Sequence, residues 1–246
     1  MILGKSPIYG RREIKVKFID LLKTIYAKFN NRQVINSEKR IPSRKEQDLL
    51  LSRLKAGEDH FNNSYNKYKC VCFYHYSRGV LLLYNIASAL LYFPLYLKLK
   101  NAKKGAKKKK YENLLVMKRG RGIGIEDIFP EPLREKYKVV EDFMRYDILY
   151  LDKESKQILK EARKRHPLSF HYNLVLMMRI ANQCRIINEY NPEIICTYVC
   201  EREFADPILT LYSENNGVRY HGFMHGDFMY QIDHAFMQFS CYWVWD

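Results

Sequence analysis

The chain has 246 residues, 42 Lys+Arg against 27 Asp+Glu, a formal net charge of +15 and 47% hydrophobic residues. That length can bury one sizeable core or two small ones, which excludes a disulfide-held miniprotein and a wholly disordered chain. The charge is unevenly placed: residues 1–110 carry 25 Lys+Arg and 7 Asp+Glu, whereas residues 111–246 carry 17 and 20. A basic front thus precedes a near-neutral back, and only the front calls for an acidic partner.

Cys70, Cys72, Cys184, Cys196, Cys200 and Cys241 follow no metal-ligand spacing and read as buried, reduced thiols in a reducing, cytosolic compartment. The N-terminus has Lys5, Arg11 and Arg12 but no short apolar run before a cleavage site, so no secretory signal is expected.

In chain order, residues 11–30 place Phe18, Leu21, Leu22, Ile25, Tyr26 and Phe29 at helical spacing among lysines, predicting a basic amphipathic helix. Ser43 followed by Glu46 is a capping box for a second helix through Leu54, with Gly57 as its stop. Residues 79–97 then run for 19 positions without a charge. At 1.5 Å per residue such a helix reaches about 28 Å, close to the roughly 30 Å of bilayer hydrocarbon. Directly after it come eight lysines in 13 residues: Lys98, Lys100, Lys103, Lys104, Lys107, Lys108, Lys109 and Lys110.

Three readings compete for residues 79–97. A core helix accounts for Asn85, Ser88 and Pro94 but not for the lysines. A spanning helix must place the basic residues 1–78 outside, against the positive-inside tendency. An in-plane or re-entrant helix kinked near Pro94 leaves both basic flanks on the cytosolic face, where anionic lipid attracts the run from Lys98 to Lys110. Nucleic-acid binding is not expected, because the run lacks arginines and interleaved aromatics for base stacking. These features divide the chain into a basic helical region (1–78), an apolar helix with a polybasic segment (79–110) and an α/β domain (111–246).

Residues 113–117 predict the first strand of that domain, followed by Gly120, Gly122 and Gly124, whose spacing does not match a dinucleotide-binding loop. A second strand-like stretch covers 138–151, helices cover 153–165 and 169–190, and the apolar run 194–199 predicts a strand buried on both faces. Asp206-Pro207 starts a helix, with the carboxylate as cap, that ends at Asn216-Gly217. Strands follow at 218–224 and 241–245. Alternating strands and helices predict an α/β fold with a Rossmann-like parallel sheet. Ligands of such sheets bind at the carboxyl ends of the strands.

Two groups fall there: Cys200-Glu201-Arg202-Glu203 and His225-Gly226-Asp227. His225 carries an imidazole, which titrates in the range a general base needs, Gly226 lets backbone approach a ligand, Asp227 can orient the ring, and Glu201, one strand over, can hold a second position on the same rim. Each has a packing alternative: a histidine satisfying a loop carbonyl, and an exposed charged turn. His234 lies nine residues beyond His225, not at zinc-hydrolase spacing, and neither a GxSxG elbow nor a Walker lysine is present.

The block Asn191-Pro192-Glu193-Ile194-Ile195, then Glu201-Arg202-Glu203-Phe204, Phe223-Met224-His225-Gly226-Asp227 and the closing Tyr242-Trp243-Val244-Trp245-Asp246 resembles bacterial GT-B-like transferases of surface-polysaccharide synthesis. The strand-end His-Gly is similar to that of teichoic-acid glycerophosphotransferases and some capsule glycosyltransferases. The resemblance covers roughly residues 112–246. It implies His225 as base, Gly226 as the close-approach glycine, and support from Asp227 and Glu201. It also implies a nucleotide-sugar as donor substrate with no other cofactor and no metal, and a lipid-linked or glycan acceptor. Such enzymes have two Rossmann-like domains. This chain looks like the front half, with the donor-binding half on a separate domain or chain, or like the same domain reused as a membrane adaptor.

Overall fold

The computed structural model describes residues 43–55, 57–102, 108–118, 129, 131–142, 145, 148–197, 203–223 and 232–244. The helix expected at 11–30 and the loop of Gly120, Gly122 and Gly124 lie outside the described residues.

Five strands form one all-parallel sheet: β1 (Leu114–Lys118), β2 (Lys138–Asp142), β3 (Ile194–Thr197), β4 (Arg219–Phe223) and β5 (Cys241–Trp243), in the order β2-β1-β3-β4-β5. The register sets Leu115 opposite Ile194, Ile194 opposite Arg219 and His221 opposite Cys241. Seven helices accompany the strands among the described residues: α1 (Arg44–Leu51), α2 (His60–His75), α3 (Arg78–Asn101), α4 (Glu131–Lys136), α5 (Lys153–Arg165), α6 (Phe170–Tyr190) and α7 (Asp206–Asn215). A 3₁₀ turn (Ile232–Phe236) leads towards β5.

Strand alternation divides the side chains between two faces. Val116, Ile195 and Tyr220 join the larger core with residues of α2, α3, α5, α6 and α7. Leu115, Met117, Ile194, Cys196 and Phe223 form the other face, against Phe129, Tyr137 and Leu133 of α4. Both faces are therefore covered, as expected for a parallel sheet whose central strands β1 and β3 are almost wholly apolar and buried. The α/β parallel architecture expected from the sequence is present. At Gly222 an added Cβ would lie 2.8 Å from both the Phe239 and Tyr242 rings, so β4 reaches β5 at a point where only glycine fits.

Four local expectations change. The Ser43 hydroxyl accepts from the Glu46 amide and the Glu46 carboxylate from the Ser43 amide, the expected capping box. The helix stops at Leu51 rather than near Gly57, and Leu54 turns inward against Cys70, Ile232 and Phe236. Of the described residues in the stretch 138–151, those from Lys138 to Asp142 form a strand; Leu149, Tyr150 and Leu151 are buried without ladder pairing, and the Leu151 amide donates to the Leu99 carbonyl. Asp206 does not cap α7: the cap residue is Ala205, with no side-chain cap bond. Lastly, α2 was not expected; Asp59 caps it by accepting from the Phe61 and Asn62 amides.

The apolar segment forms α3, continuous through Pro94, and it combines two of the three readings given above. One face is buried: Ser88, Tyr92 and Leu99 are closed off, and Leu81, Leu95 and Tyr96 pack on the larger core. Asn85 donates to the Leu168 carbonyl and accepts from the His171 amide, fixing α3 along α6. The opposite face is exposed and apolar, with Leu90 73% and Phe93 60% exposed.

Candidate functional site at the carboxyl edge of the sheet

The strand order places β1 between β2 and β3, so the chain leaves β1 towards one side of the sheet and continues from β3 towards the other. The crevice outside the carboxyl ends of β1 and β3 is the topological switch point, where open α/β sheets take their ligands. Lys118 ends β1 there and Thr197 ends β3.

A buried polar chain runs inward from Lys118. Its ammonium donates to the Tyr220 hydroxyl at 2.9 Å, the Tyr220 hydroxyl donates to the Asp206 carboxylate at 3.4 Å, and Lys67 of α2 donates to the other Asp206 oxygen at 3.1 Å. The Lys67 and Asp206 side chains are both 0% exposed. An isolated charge in such a position is very unfavourable, so each requires the other. Burial pushes the Asp206 carboxyl up to about 7, against the pull of the Lys67 ammonium. Burial likewise lowers Lys118, which the carboxylates of Glu203 and Asp206 partly offset. Glu203 itself is held by Arg179 of α6 at 2.9 Å and accepts from the Ala205 amide at 3.3 Å. Strands β1 and β4 and helices α2, α6 and α7 thus converge on one charged cluster behind the edge.

Glu201, His225, Gly226 and Asp227 lie outside the described residues. Their attachment points are described: β3 ends four residues before Glu201, β4 ends two residues before His225, and the two strands are hydrogen-bonded neighbours. Lys67, Lys118, Asp206 and Tyr220 were not expected at the site. Lys118 carried a usable signal, since it directly follows the apolar run of β1. Lys67 carried none, being one lysine in a mixed, Asn- and Tyr-rich helix.

A second concavity, a groove of about 430 Å³, runs between α7 and the segment leading into β5, lined by His60, Thr210, Glu214, His234, Gln238 and Tyr242 among others. Burial, followed by the Lys67 charge, lowers His234 to about 4, so the ring is neutral at physiological pH. Among the described residues no three His, Cys, Asp or Glu side chains are placed to hold a metal ion. Cys70, Cys72, Cys184, Cys196 and Cys241 form no disulfide among the described residues, and burial raises the pKa of Cys196 well above its ordinary value. No family model matches the chain, nor does any curated protein or solved structure.

Proposed function

We propose that the chain is the acceptor-side, GT-B-like domain of a bacterial surface-polysaccharide glycosyltransferase working at the cytosolic face of the membrane. The supporting observation is topological: two adjacent parallel strands, β3 and β4, lead towards Glu201 and His225 from the same edge of the sheet, beside the β1/β3 switch point. His225 takes the proton of the acceptor hydroxyl as its oxygen bonds to the anomeric carbon. The bond from that carbon to the nucleoside diphosphate breaks, and the leaving group keeps the electron pair. Asp227 orients the imidazole, Gly226 allows close approach of the backbone, and Glu201 supports the acceptor from the neighbouring strand. A separate domain or chain binds the nucleotide-sugar.

The test is sugar transfer from a nucleotide donor to lipid extract, with the protein expressed alongside its cellular partners. Replacing a general base typically lowers the rate by at least about 100-fold, and that loss is expected for His225→Ala. Equal transfer by wild type and variant removes His225 as the base. Vesicle binding with no transfer by the wild type supports a non-catalytic membrane adaptor instead.

A further inference from the structure

The outward face of α3 is too apolar for water. Leu82, Leu83, Ile86, Leu90, Phe93 and Leu97 are 39–73% exposed and form one continuous stripe at helical spacing. Contiguous exposed apolar surface of this kind marks an interaction site. Its occupant is indicated by what borders it. Lys98 and Lys100 are exposed in the last turn, and at about 100° per residue they fall on opposite sides of the stripe. Lys108, Lys109 and Lys110 are exposed just beyond the same end, where the Lys108 amide donates to the Asn188 carbonyl and the Lys110 ammonium to the Gly217 carbonyl. No acidic residue lies between Arg78 and Lys110. An apolar face with exposed cations at its C-terminal end is complementary to the interface of an anionic bilayer.

We infer that α3 is an in-plane docking helix that lays its Leu82 to Leu97 stripe into the interface of an anionic lipid bilayer, with the lysines of its C-terminal end on the headgroups. The helix lies in the membrane plane because its other face is committed to the protein. Tyr92 and Leu99 are buried in the larger core, the Arg163 guanidinium of α5 stacks 4.9 Å from the Tyr92 ring centroid, and Asn85 is tied to α6. Insertion across the bilayer would draw α5, with its Lys and Arg side chains, into hydrocarbon.

The docking also orients the sheet. Asn85, near the start of α3, contacts the N-terminal end of α6, and residue 108, past the end of α3, contacts the C-terminal end of α6, so the two helices run the same way. Helix α6 feeds β3 and therefore ends at the amino edge of the sheet. The stripe thus extends from the lysine-rich amino edge towards the carboxyl edge, and a bilayer along it passes beside the switch point, where a lipid-linked acceptor would emerge. That last consequence rests on the transferase reading, whereas the docking does not.

The test is co-sedimentation of the full chain with phosphatidylcholine vesicles, with and without phosphatidylglycerol. Binding to the anionic vesicles is expected. Leu90→Glu/Phe93→Glu should reduce it by about 100-fold or more, since two large apolar side chains leave the interface. Lys98→Gln/Lys100→Gln should reduce it by about 30-fold. All four positions are exposed, so unchanged circular dichroism and melting of the variants separates lost docking from lost folding. With protein bound to sealed vesicles, Arg78→Cys and Asn101→Cys should both react with a membrane-impermeant maleimide. Protection of one end alone would overturn the in-plane placement. No sedimentation, equal binding by Leu90→Glu/Phe93→Glu, or a dimer that this pair dissociates without any lipid binding would overturn the docking itself. Because none of these readouts involves turnover, their failure is distinct from failure of the transferase reading.

Discussion

Replacing Lys67 by Met is expected to destabilise the fold by about 3–5 kcal/mol at pH 8, the usual effect of removing one partner of a buried ion pair. The variant keeps the length of the side chain but leaves the Asp206 carboxylate, fully enclosed, with a hydrogen bond from the Tyr220 hydroxyl and no ammonium beside it in place of Lys67. Asp206 already has a raised pKa, and loss of the ammonium raises it further. The sign follows: the deficit should shrink on acidification, as Asp206 takes up a proton and becomes neutral in the folded state. Adding Asp206→Asn to Lys67→Met removes the stranded charge while keeping an acceptor for Tyr220, and should recover much of the loss. Urea unfolding of the four members of this cycle at pH 8 and pH 6 measures the coupling. Additive effects at both pH values would show that the pair is not interdependent.

Arg185→Leu is expected to cost a similar amount, about 3–5 kcal/mol, because it strands another buried carboxylate. The guanidinium, 2% exposed, is bonded to both oxygens of Asp142 at the end of β2, to Glu189 at 2.8 Å and to Asn182. It thereby ties an edge strand to α6, while Val139 of β2 packs on the other face near Leu133 of the short α4. Arg185→Lys should rescue little, since an ammonium cannot reproduce a planar fork spread over both Asp142 oxygens. Hydrogen exchange of the β2 amides is the local readout: faster exchange there than in β3 and β4 is expected for Arg185→Leu. Uniform change across the sheet would contradict the assigned role.

Much of the sheet was legible because β1 and β3 are near-continuous apolar runs and β4 follows the Asn216-Gly217 turn, signals independent of what lies above or below them. The runs beginning near Leu114, Ile194 and Arg219 became β1, β3 and β4 within a residue or two of the expected positions. Helix α5 was equally clear, its Ile158, Leu159 and Ala162 facing the core from an otherwise charged helix. Helix α2 was not. Its buried side is built from Asn63, Ser64, Lys67 and Tyr68 as well as Val71 and two cysteines, so hydrogen bonding and an ion pair replace the apolar period that reveals a helix. The same substitution of polar pairing for apolar contact concealed the charged cluster. Asp206 read as a helix cap because Asp-Pro is a frequent cap sequence, and nothing local announces a lysine 139 positions earlier in the chain. For α3, composition gave length and apolarity, but only tertiary contacts decide which face is buried; Asn85 and Ser88 were the polar hints of the docked side.

The central claim is that ligand binds at the carboxyl edge beside the switch point. Hydrogen–deuterium exchange of the full chain, with and without a detergent-solubilised polyisoprenyl-diphosphate-linked saccharide, tests it without requiring turnover. Protection is predicted in the segments that follow β1, β3 and β4, residues 118–128, 198–203 and 224–231. Protection confined to the groove lined by His60, Thr210 and Glu214, or none at all, would contradict it.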